Sequence, residues 1–208
     1  MPQEPEILLK EDLPTSEAKW VSLKKIYWSD QDGKQRTWEC AERTTRASSG
    51  VDAVAILAVL RSESNAFQPS TVIIEQYRPP VGSFVVELPA GLIDNVETAE
   101  AAAIRELEEE TGFKGKKVLE SSPLLVCDPG MTTANMKVVT VDVPFPDKLE
   151  MSAQKLDAGE HITVRIVELT KLAQELKEYG KKGFVIDARL SHFAHGYEMA
   201  QRIRQMKL

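Results

Sequence analysis

The segment that decides the fold covers residues 91–113 and reads GLIDNVETAEAAAIRELEEETGF. From Thr98 onward it is rich in Ala, Glu, Leu and Arg, which favour helix. Thr98 is placed to cap the start of that helix, and Gly112 is placed to stop it. Gly91 permits a turn before the helix. The segment therefore predicts a loop followed by an amphipathic helix that ends at Gly112.

Three carboxylates of this predicted helix share one face. At 100° per residue, Glu106, Glu109 and Glu110 lie together, whereas the apolar Ile104 and Leu107 lie on another face. Like charges at these spacings cost a few tenths of a kcal/mol per pair in an isolated helix, so a cation is their natural compensation. Mg²⁺ is held by one or two carboxylates together with waters and substrate phosphates. We expect a solvent-facing carboxylate surface that holds Mg²⁺, or Mn²⁺ in its place.

Arg105 introduces a second set of contacts. It precedes Glu109 by four residues and can also reach back to Glu97, which would tie the loop to the helix and turn one carboxylate away from the metal. An acidic run taken alone is more often a solvated helix face than a metal site. Only the complete spacing pattern can decide between the two interpretations.

Composition excludes several classes of protein. The chain has 208 residues, 42% of them hydrophobic and 28% charged, which suits one ordinary globular core. A net charge of −6 disfavours a nucleic-acid polymer as partner, although a few arginines or a bound cation could still attract a small anion. Cys40 and Cys127 do not make a disulfide framework. With neither a secretory signal nor a membrane span in the sequence, we expect a cytoplasmic protein, with the nucleus left open as a second compartment.

The remaining sequence predicts a mixed α+β protein. An Asp-Gly turn at 32–33 between two extended runs predicts a hairpin over residues 20–45. We expect a chain break at the Pro-Phe-Pro of 144–146, and Pro89 to Gly91 should end the strand before them. Other strands are predicted over 51–60, 71–77, 84–88, 117–126, 134–143 and 161–169, and helices over 170–179 and 187–206.

The complete pattern is Gly91, five residues, Glu97, seven residues and then RELxEExGF over 105–113, which is the Nudix box. Even seven of these nine fixed positions, at about 7% usage each, arise together by chance only on the order of once in 10⁸ starting points. The chain thus resembles the Nudix hydrolases. That resemblance implies an α/β/α sandwich around a mixed sheet and metal-assisted hydrolysis of a nucleoside diphosphate linked to another group. Many members have Gly where this chain has Val96, which concerns the loop conformation and no metal ligand.

The same resemblance implies roles for the box residues. Glu106 and Glu110 are the main metal ligands, Glu109 assists, and the Ala90 carbonyl completes the site. Gly91, Glu97 and Gly112 are structural residues of the box, and Arg105 belongs with the catalytic set.

Motifs outside the box are similar to those of the eukaryotic ADP-sugar pyrophosphatases. The similarity runs from about Trp20 to the last helix and is weakest between 143 and 158. The matching pieces are Trp20, RTWE at 36–39, RTTR at 43–46, QYRPP at 76–80, ELPAG at 87–91, CDPG at 127–130 and GE at 159–160.

This branch of the family implies the substrate site. Trp20 and Trp38 sandwich the adenine, coming from different subunits of a homodimer with exchanged N-terminal arms. Arginine forks suit phosphate, so Arg43 and Arg78 hold the pyrophosphate or the terminal ribose. Glu160 is the catalytic base or an additional metal ligand. Further substrate contacts are expected from Glu39, Leu92 and Asp128.

Two other features have no expected role in the site. Trp28 matches no adenine-binding position, and we interpret it as structural. The pair His192 and His195 lies on a helical pattern with no third ligand nearby, and we interpret it as incidental. We divide the chain into an arm over 1–48, for dimerisation and adenine binding, and a Nudix domain over 49–208.

The sequence therefore predicts Mg²⁺-dependent hydrolysis of ADP-ribose, and of related ADP-sugars, to AMP and ribose 5-phosphate. One alternative is hydrolysis of oxidised nucleoside diphosphates such as 8-oxo-dGDP, which would need the same metals and a different pocket. Another is a sensor that binds ADP-ribose without turnover. The intact RELxEE motif argues against a sensor, because a pure binder has no need of three aligned carboxylates.

Overall fold

The computed structural model describes residues 4–206, so residues 1–3 of the predicted arm and 207–208 of the predicted Nudix domain lie outside the described residues. A short 3-10 turn, Leu169–Lys171, precedes the second helix. In chain order the elements are β1 (Val21–Ser29), β2 (Gln35–Arg43), β3 (Ala53–Ser62), β4 (Ser70–Arg78), β5 (Ser83–Glu87), β6 (Ala90–Leu92), α1 (Ala99–Thr111), β7 (Lys117–Ser121), β8 (Leu125–Val126), β9 (Asn135–Phe145), β10 (Ile162–Glu168), α2 (Leu172–Lys181), β11 (Val185–Ile186) and α3 (Ala188–Arg204).

The N-terminal arm is an antiparallel hairpin that forms its own two-stranded sheet. In β1 and β2, Val21 lies opposite Arg43 and Ser29 lies opposite Gln35. The turn is closed by the Asp30 carboxylate, which accepts hydrogen bonds from the backbone N–H groups of residues 32 and 34, at 3.0 and 2.8 Å. Gly33 adopts φ 73°, which confirms the turn predicted at Asp-Gly.

The main sheet is mixed and has the order β11-β5-β4-β3-β9-β7. β3 runs parallel to β9 along its whole length and carries the short β6 at its start. β3 and β4 pair only at Leu60 and Ser70, beyond which β4 pairs with β10 and β5 instead. The sheet is thus two groups of strands joined at one end.

Helices cover both faces of this sheet, which confirms the predicted sandwich. One core packs Ala102, Ala103 and Leu107 of α1 against β3 and β9. The other packs α2 and α3 against β4 and β5. Adjacent residues of β4 belong to opposite cores, with Val72 on the α1 side and Ile73 on the other, as the two-residue period of a strand requires.

Both predicted ends of α1 are confirmed. Thr98 accepts a hydrogen bond from the Ala101 N–H at 3.1 Å. Gly112 has φ 75°, and its N–H donates to the Glu108 carbonyl at 2.8 Å. A Cβ at Gly112 would also lie 2.7 Å from backbone atoms of Ser152, so glycine is needed both for the backbone conformation and for the approach of that segment.

The observed strand boundaries differ in detail from those predicted from the sequence. The break expected at 144–146 comes later than Pro144, because β9 continues through Pro144 to Phe145 and ends before Pro146. β7 pairs with β9 only as far as Asp142, so the missing N–H of Pro144 leaves no gap in that ladder. The end predicted at 89–91 for the preceding strand is confirmed, since β5 stops at Glu87, but Ala90–Leu92 forms a further short strand, β6, that pairs with β3. β11 was not predicted, because two residues carry no periodic signal.

A half-buried ion pair attaches the arm to the main sheet. The Asp52 carboxylate, 2% exposed, receives two hydrogen bonds from the Arg46 guanidinium, at 2.8 and 2.9 Å. It also accepts one from the Asn135 N–H at 3.0 Å. Burial by itself would raise the pKa of Asp52, but the bonds from Arg46 and Asn135 outweigh it and lower that pKa below 3.8.

We expect Asp52→Asn to lower the unfolding free energy by about 1.5–3 kcal/mol at pH 7, the range for hydrogen bonds to a charged group. Because the folded-state pKa is depressed, this stabilisation is present above pH 3.8 and is lost as the pH falls below it. Urea unfolding at a series of pH values measures the difference between the two proteins. Glu63→Gln, which removes an exposed ion pair with Lys116, is the control and should change little. Equal stability of Asp52→Asn and wild type at pH 7 would contradict the assignment.

Candidate active site

Arg105 is the centre of the hydrogen bonding on the carboxylate face of α1. Its Nε and Nη2 donate to the Glu97 carboxylate at 3.0 and 2.8 Å. Its Nη1 donates to Glu106 at 2.7 Å and to Glu109 at 3.0 Å. Nη2 also donates to the Leu92 carbonyl at 3.1 Å. Glu97 first, and then Glu106 and Glu109, raise the pKa of the guanidinium, and the loop is tied to the helix as the spacing predicts.

Glu110 differs from the expectation that all three carboxylates face solvent. It is buried, at 5% exposure, and accepts a hydrogen bond from the Ala90 N–H at 3.0 Å. Burial, together with the negative charges of Glu106 and Glu160, raises the pKa of Glu110 to about 8. Burial also raises the pKa of Glu106. The packing of β6 against α1 removes these groups from water, which helix geometry alone could not indicate.

Gly91 is required by Glu106. A Cβ on Gly91 would lie 1.9 Å from the Glu106 carboxyl carbon, so only glycine lets β6 pass this close to the helix. Gly91 has no positive φ, and the permissive turn expected there is wrong. The glycine of the box therefore serves a close approach between backbone and carboxylate.

Glu160 reaches the same cleft from a distant part of the chain. It follows the connecting segment 147–159, and its carboxylate accepts a hydrogen bond from the Asp157 N–H at 3.1 Å. The cleft has a volume of about 390 Å³. It is lined by the α1 residues Arg105, Glu106, Glu109 and Glu110, by 90–92 and Asp94, and by Lys155, Asp157 and Glu160.

The donor set suits a hard divalent cation in its chemistry, because it consists of carboxylates and a nearby backbone carbonyl. Burial is the main cause that raises the pKa values of Glu106 and Glu110, and a bound cation would favour their ionised forms. Within residues 4–206, however, no three His, Cys, Asp or Glu side chains are grouped closely enough to hold a metal as they stand. Glu106 and Glu109 instead accept hydrogen bonds from Arg105 Nη1.

A larger depression, of about 630 Å³, lies beside β3, β7 and β9. Its lining includes Val59, Lys117 and Leu119, and its one carboxylate, Asp142, is paired with Arg61 at 2.6 Å. Its other charged residues, Arg61, Lys116 and Lys117, are basic, so this depression lacks the converging carboxylates that would hold a metal. Its size therefore does not change the assignment of the carboxylate cleft.

The expected phosphate-binding and substrate residues lie on several elements of the fold. Arg78 donates from Nε to Glu87 at 2.7 Å, and Glu87 itself is buried. Arg43 is exposed at the end of β2. Asp128 is exposed, and its carbonyl accepts bonds from residues 131 and 132, at 3.2 and 2.9 Å. Leu92 borders the carboxylate cleft, whereas Glu39 lies on β2 opposite Lys25.

The two tryptophans expected to bind adenine are exposed, Trp20 at 69% and Trp38 at 51%. Trp38 donates its indole N–H to the Gly130 carbonyl at 2.9 Å, which places it at the CDPG loop. The Trp20 carbonyl accepts from the Thr44 N–H at 3.2 Å, at the other end of the hairpin. Trp28 is also exposed on β1.

Sequence reasoning missed Gln154, Lys155 and Glu87. Gln154 and Lys155 lie in the connecting segment, where the resemblance is weakest and no periodic pattern exists. Glu87 belongs to the ELPAG motif, and its position nine residues from Arg78, across the turn joining β4 and β5, could have suggested the ion pair.

Comparison with known proteins gives the family. The NUDIX domain model matches residues 50–187. An uncharacterized Nudix hydrolase of Schizosaccharomyces pombe is 47% identical over 93% of each chain. The ADP-ribose pyrophosphatase of Saccharomyces cerevisiae is 41% identical, covering 90% of this chain and 81% of its own. The ADP-sugar pyrophosphatase of Mus musculus is 38% identical, covering 87% and 82%.

A solved structure supports the same fold. The crystal structure of an ADP compounds hydrolase superposes with a TM-score of 0.59 over 99% of this chain and 98% of its own, at 19% identity. None of the helices within 4–206 is long and apolar enough to cross a membrane. From the family match, these relatives and the carboxylate cleft that the box residues build, we conclude that the chain belongs to the Nudix family of hydrolases.

Proposed function

We propose that this protein hydrolyses ADP-ribose, and related ADP-sugars, to AMP and ribose 5-phosphate, with Mg²⁺ as the metal and Mn²⁺ as a substitute. The observation that carries this proposal is the convergence of Glu160 with Glu106, Glu109 and Glu110 on one cleft. Two relatives also support this proposal, because they are named ADP-ribose pyrophosphatase and ADP-sugar pyrophosphatase.

In this proposal Glu106 and Glu110 hold the metal, with Glu109, Glu160 and the Ala90 carbonyl as further ligands. The bound cation would neutralise the diphosphate and lower the pKa of a coordinated water. Arg105 keeps Glu106 and Glu109 together before the metal arrives. The high pKa of Glu110 expresses the cost of its buried charge, which a divalent cation would relieve.

Glu160 is the proposed base. Its exposed position at the edge of the cleft lets its carboxylate accept the proton of the attacking water. The water oxygen then bonds to phosphorus, the bridging P–O bond of the diphosphate breaks, and the two phosphate monoesters leave as products. The same carboxylate could instead bind the metal, and the dependence of the rate on Mg²⁺ distinguishes the two roles.

Arg78 and Arg43 are proposed to hold the anionic substrate. Because Glu87 binds Nε of Arg78, the terminal nitrogens of the guanidinium can form a fork to phosphate. Leu92, Asp128 and Glu39 are proposed as further substrate contacts. Leu92 borders the cleft, which supports its inclusion.

The spacing of Trp20 and Trp38 supports an adenine site shared by two chains. Thr44, the partner of Trp20, lies six residues beyond Trp38 along the chain, or about 20 Å at the rise of an extended strand. Since side chains stand roughly perpendicular to a sheet, this distance favours one tryptophan from each subunit. We therefore propose a homodimer with exchanged arms, an arm over 1–48 and a catalytic domain over 49–208.

The proposed cellular location rests on the state of the two cysteines. Cys40 and Cys127 are both free thiols, as suits a reducing compartment. We propose the cytoplasm, and the nucleus as a second location. Microscopy of a tagged chain checks this.

The direct test of the activity is AMP release from ADP-ribose with and without Mg²⁺. ADP-mannose and 8-oxo-dGDP complete the panel, because they report the pocket preference. AMP release that depends on Mg²⁺ supports the proposal. Binding of ADP-ribose without product would show a sensor, and preferential cleavage of 8-oxo-dGDP would show the other enzyme.

We expect Glu106→Gln and Glu110→Gln each to lower kcat by about 100-fold or more. Mutating a residue that only hydrogen-bonds a metal ligand already lowers metal affinity or activity by about 10- to 100-fold, and these two residues are proposed as the ligands themselves. The metal-free variants should be at least as stable as wild type at pH 8, since each removes a carboxylate whose pKa is raised by burial. Steady-state kinetics at saturating Mg²⁺ and thermal unfolding measure both effects. Glu100→Gln, in the first turn of α1, is the control. Activity within a few-fold of wild type for both site variants would reject the metal assignment.

We expect Trp20→Ala and Trp38→Ala to raise KM by about 5- to 150-fold with a smaller change in kcat, since a lost base stack is worth about 1–3 kcal/mol. Trp28→Ala, on the same hairpin, should leave KM unchanged. If the site combines two chains, mixing the two single variants should restore one intact site per heterodimer. A monomer by light scattering would contradict the shared site.

A further inference from the structure

The connecting segment 147–159 has no helix or strand, yet it is bonded to the C-terminal end of α1. The Lys155 N–H donates to the Glu109 carbonyl at 2.8 Å. The Gln154 side chain donates to the Glu110 carbonyl at 2.7 Å. The last carbonyls of a helix have no partner within the helix, so this segment supplies the missing donors.

Gln154 makes a second bond to a different element. Its Nε2 also donates to the Ile162 carbonyl, at the start of β10, at 3.0 Å. Because both partners are carbonyl oxygens, only the NH₂ end of the amide can face them, and this fixes the orientation of the side chain. One amide group therefore bridges the end of α1 and the beginning of β10.

This bridge closes the base of the loop that carries Glu160. Glu160 lies six residues after Gln154 and two before Ile162. It therefore belongs to the loop between these two anchored residues, and this loop presents the Glu160 carboxylate. Within the loop, the Glu160 N–H donates to the Asp157 carbonyl at 3.0 Å, and the Asp157 N–H donates back to the Glu160 carboxylate at 3.1 Å. The small turn is internally bonded, and its position relative to α1 depends on the anchors.

We propose that Gln154 is a positioning residue, which sets the position of the Glu160 carboxylate relative to Glu106 and Glu110 by bridging the Glu110 and Ile162 carbonyls. This rests on the proposed function, in which Glu160 acts on the attacking water or on the metal. Gln154 does not line the cleft and acts only through the loop. Since Gln154 is exposed, its substitution should leave the core intact.

The test uses Gln154→Met, which keeps the length of the side chain and removes both donors. We expect kcat to fall about tenfold or more and KM to stay within about twofold, because misplacing a catalytic group impairs the transition state more than binding. In a double-mutant cycle, Gln154→Met should have no further effect on the Glu160→Gln protein. Gln174→Met, which removes an exposed glutamine bond to Glu178 on α2, is the matched control and should leave kcat unchanged.

A second measurement does not depend on activity. In the metal-free protein, Gln154→Met should speed hydrogen exchange of the amides of 155–161 about tenfold, while exchange in α2 stays as in wild type. Unchanged exchange in this loop, unchanged kcat, or a full tenfold loss that persists in the Glu160→Gln background would each overturn the proposal. An inactive wild-type protein with the expected exchange pattern would instead show that the proposed function has failed and that the anchor is real.

Discussion

The guanidinium of Arg105 holds together the charges on which the site depends. Three carboxylates on one face of α1 repel one another, and two of them accept hydrogen bonds from the same Nη1 atom. The remaining donors reach Glu97 and the Leu92 carbonyl, so the loop before the helix is bound to the same group. A lysine could not make this set of contacts, because its ammonium is a point charge without a planar fork. The attachment of the loop to the helix thus follows from one side chain that has partners on both elements.

Local signals explain how much could be predicted. Thr98 and Gly112 are caps whose effect lies within one helical turn, and Gly33 fixes its hairpin within four residues, so each is legible in the sequence. The burial of Glu110 is different, because it depends on β6 packing against α1. The same is true of Gly91, whose reason is a carboxylate fifteen positions further along the chain. Periodicity reports which face a residue shares and does not report what covers that face.

The parts of the site outside the box were predicted only through the resemblance. The Gly159-Glu160 pair indicates no role by itself, and nothing in the composition of 147–159 indicates that this segment returns to α1. Its anchors are backbone carbonyls of Glu109 and Glu110, which any sequence offers equally. Pairs such as Arg78 and Glu87 arise from strand register, which a single sequence specifies weakly. The sequence therefore indicates the chemical type of these residues, whereas their positions in the fold depend on long-range contacts.

Asp52 links the arm to the loop that precedes α1. An isolated two-stranded hairpin is at best marginally stable, so β1 and β2 must be held by other contacts. Arg46, just after the hairpin, binds the Asp52 carboxylate, while the Asp52 carbonyl accepts the Ile93 N–H at 3.2 Å, within the loop that Arg105 ties to α1. The hairpin is held a second time where Ala41 exchanges hydrogen bonds with residues 131 and 133, at 3.0 Å each, next to the Gly130 carbonyl that binds Trp38. The ion pair of Arg46 with Asp52 and the backbone bonds of Ala41 together restrict both the direction of the hairpin and its distance from the main sheet. An arm fixed in this way can present an aromatic side chain at a defined place relative to the carboxylate cleft, which a flexible tether could not do.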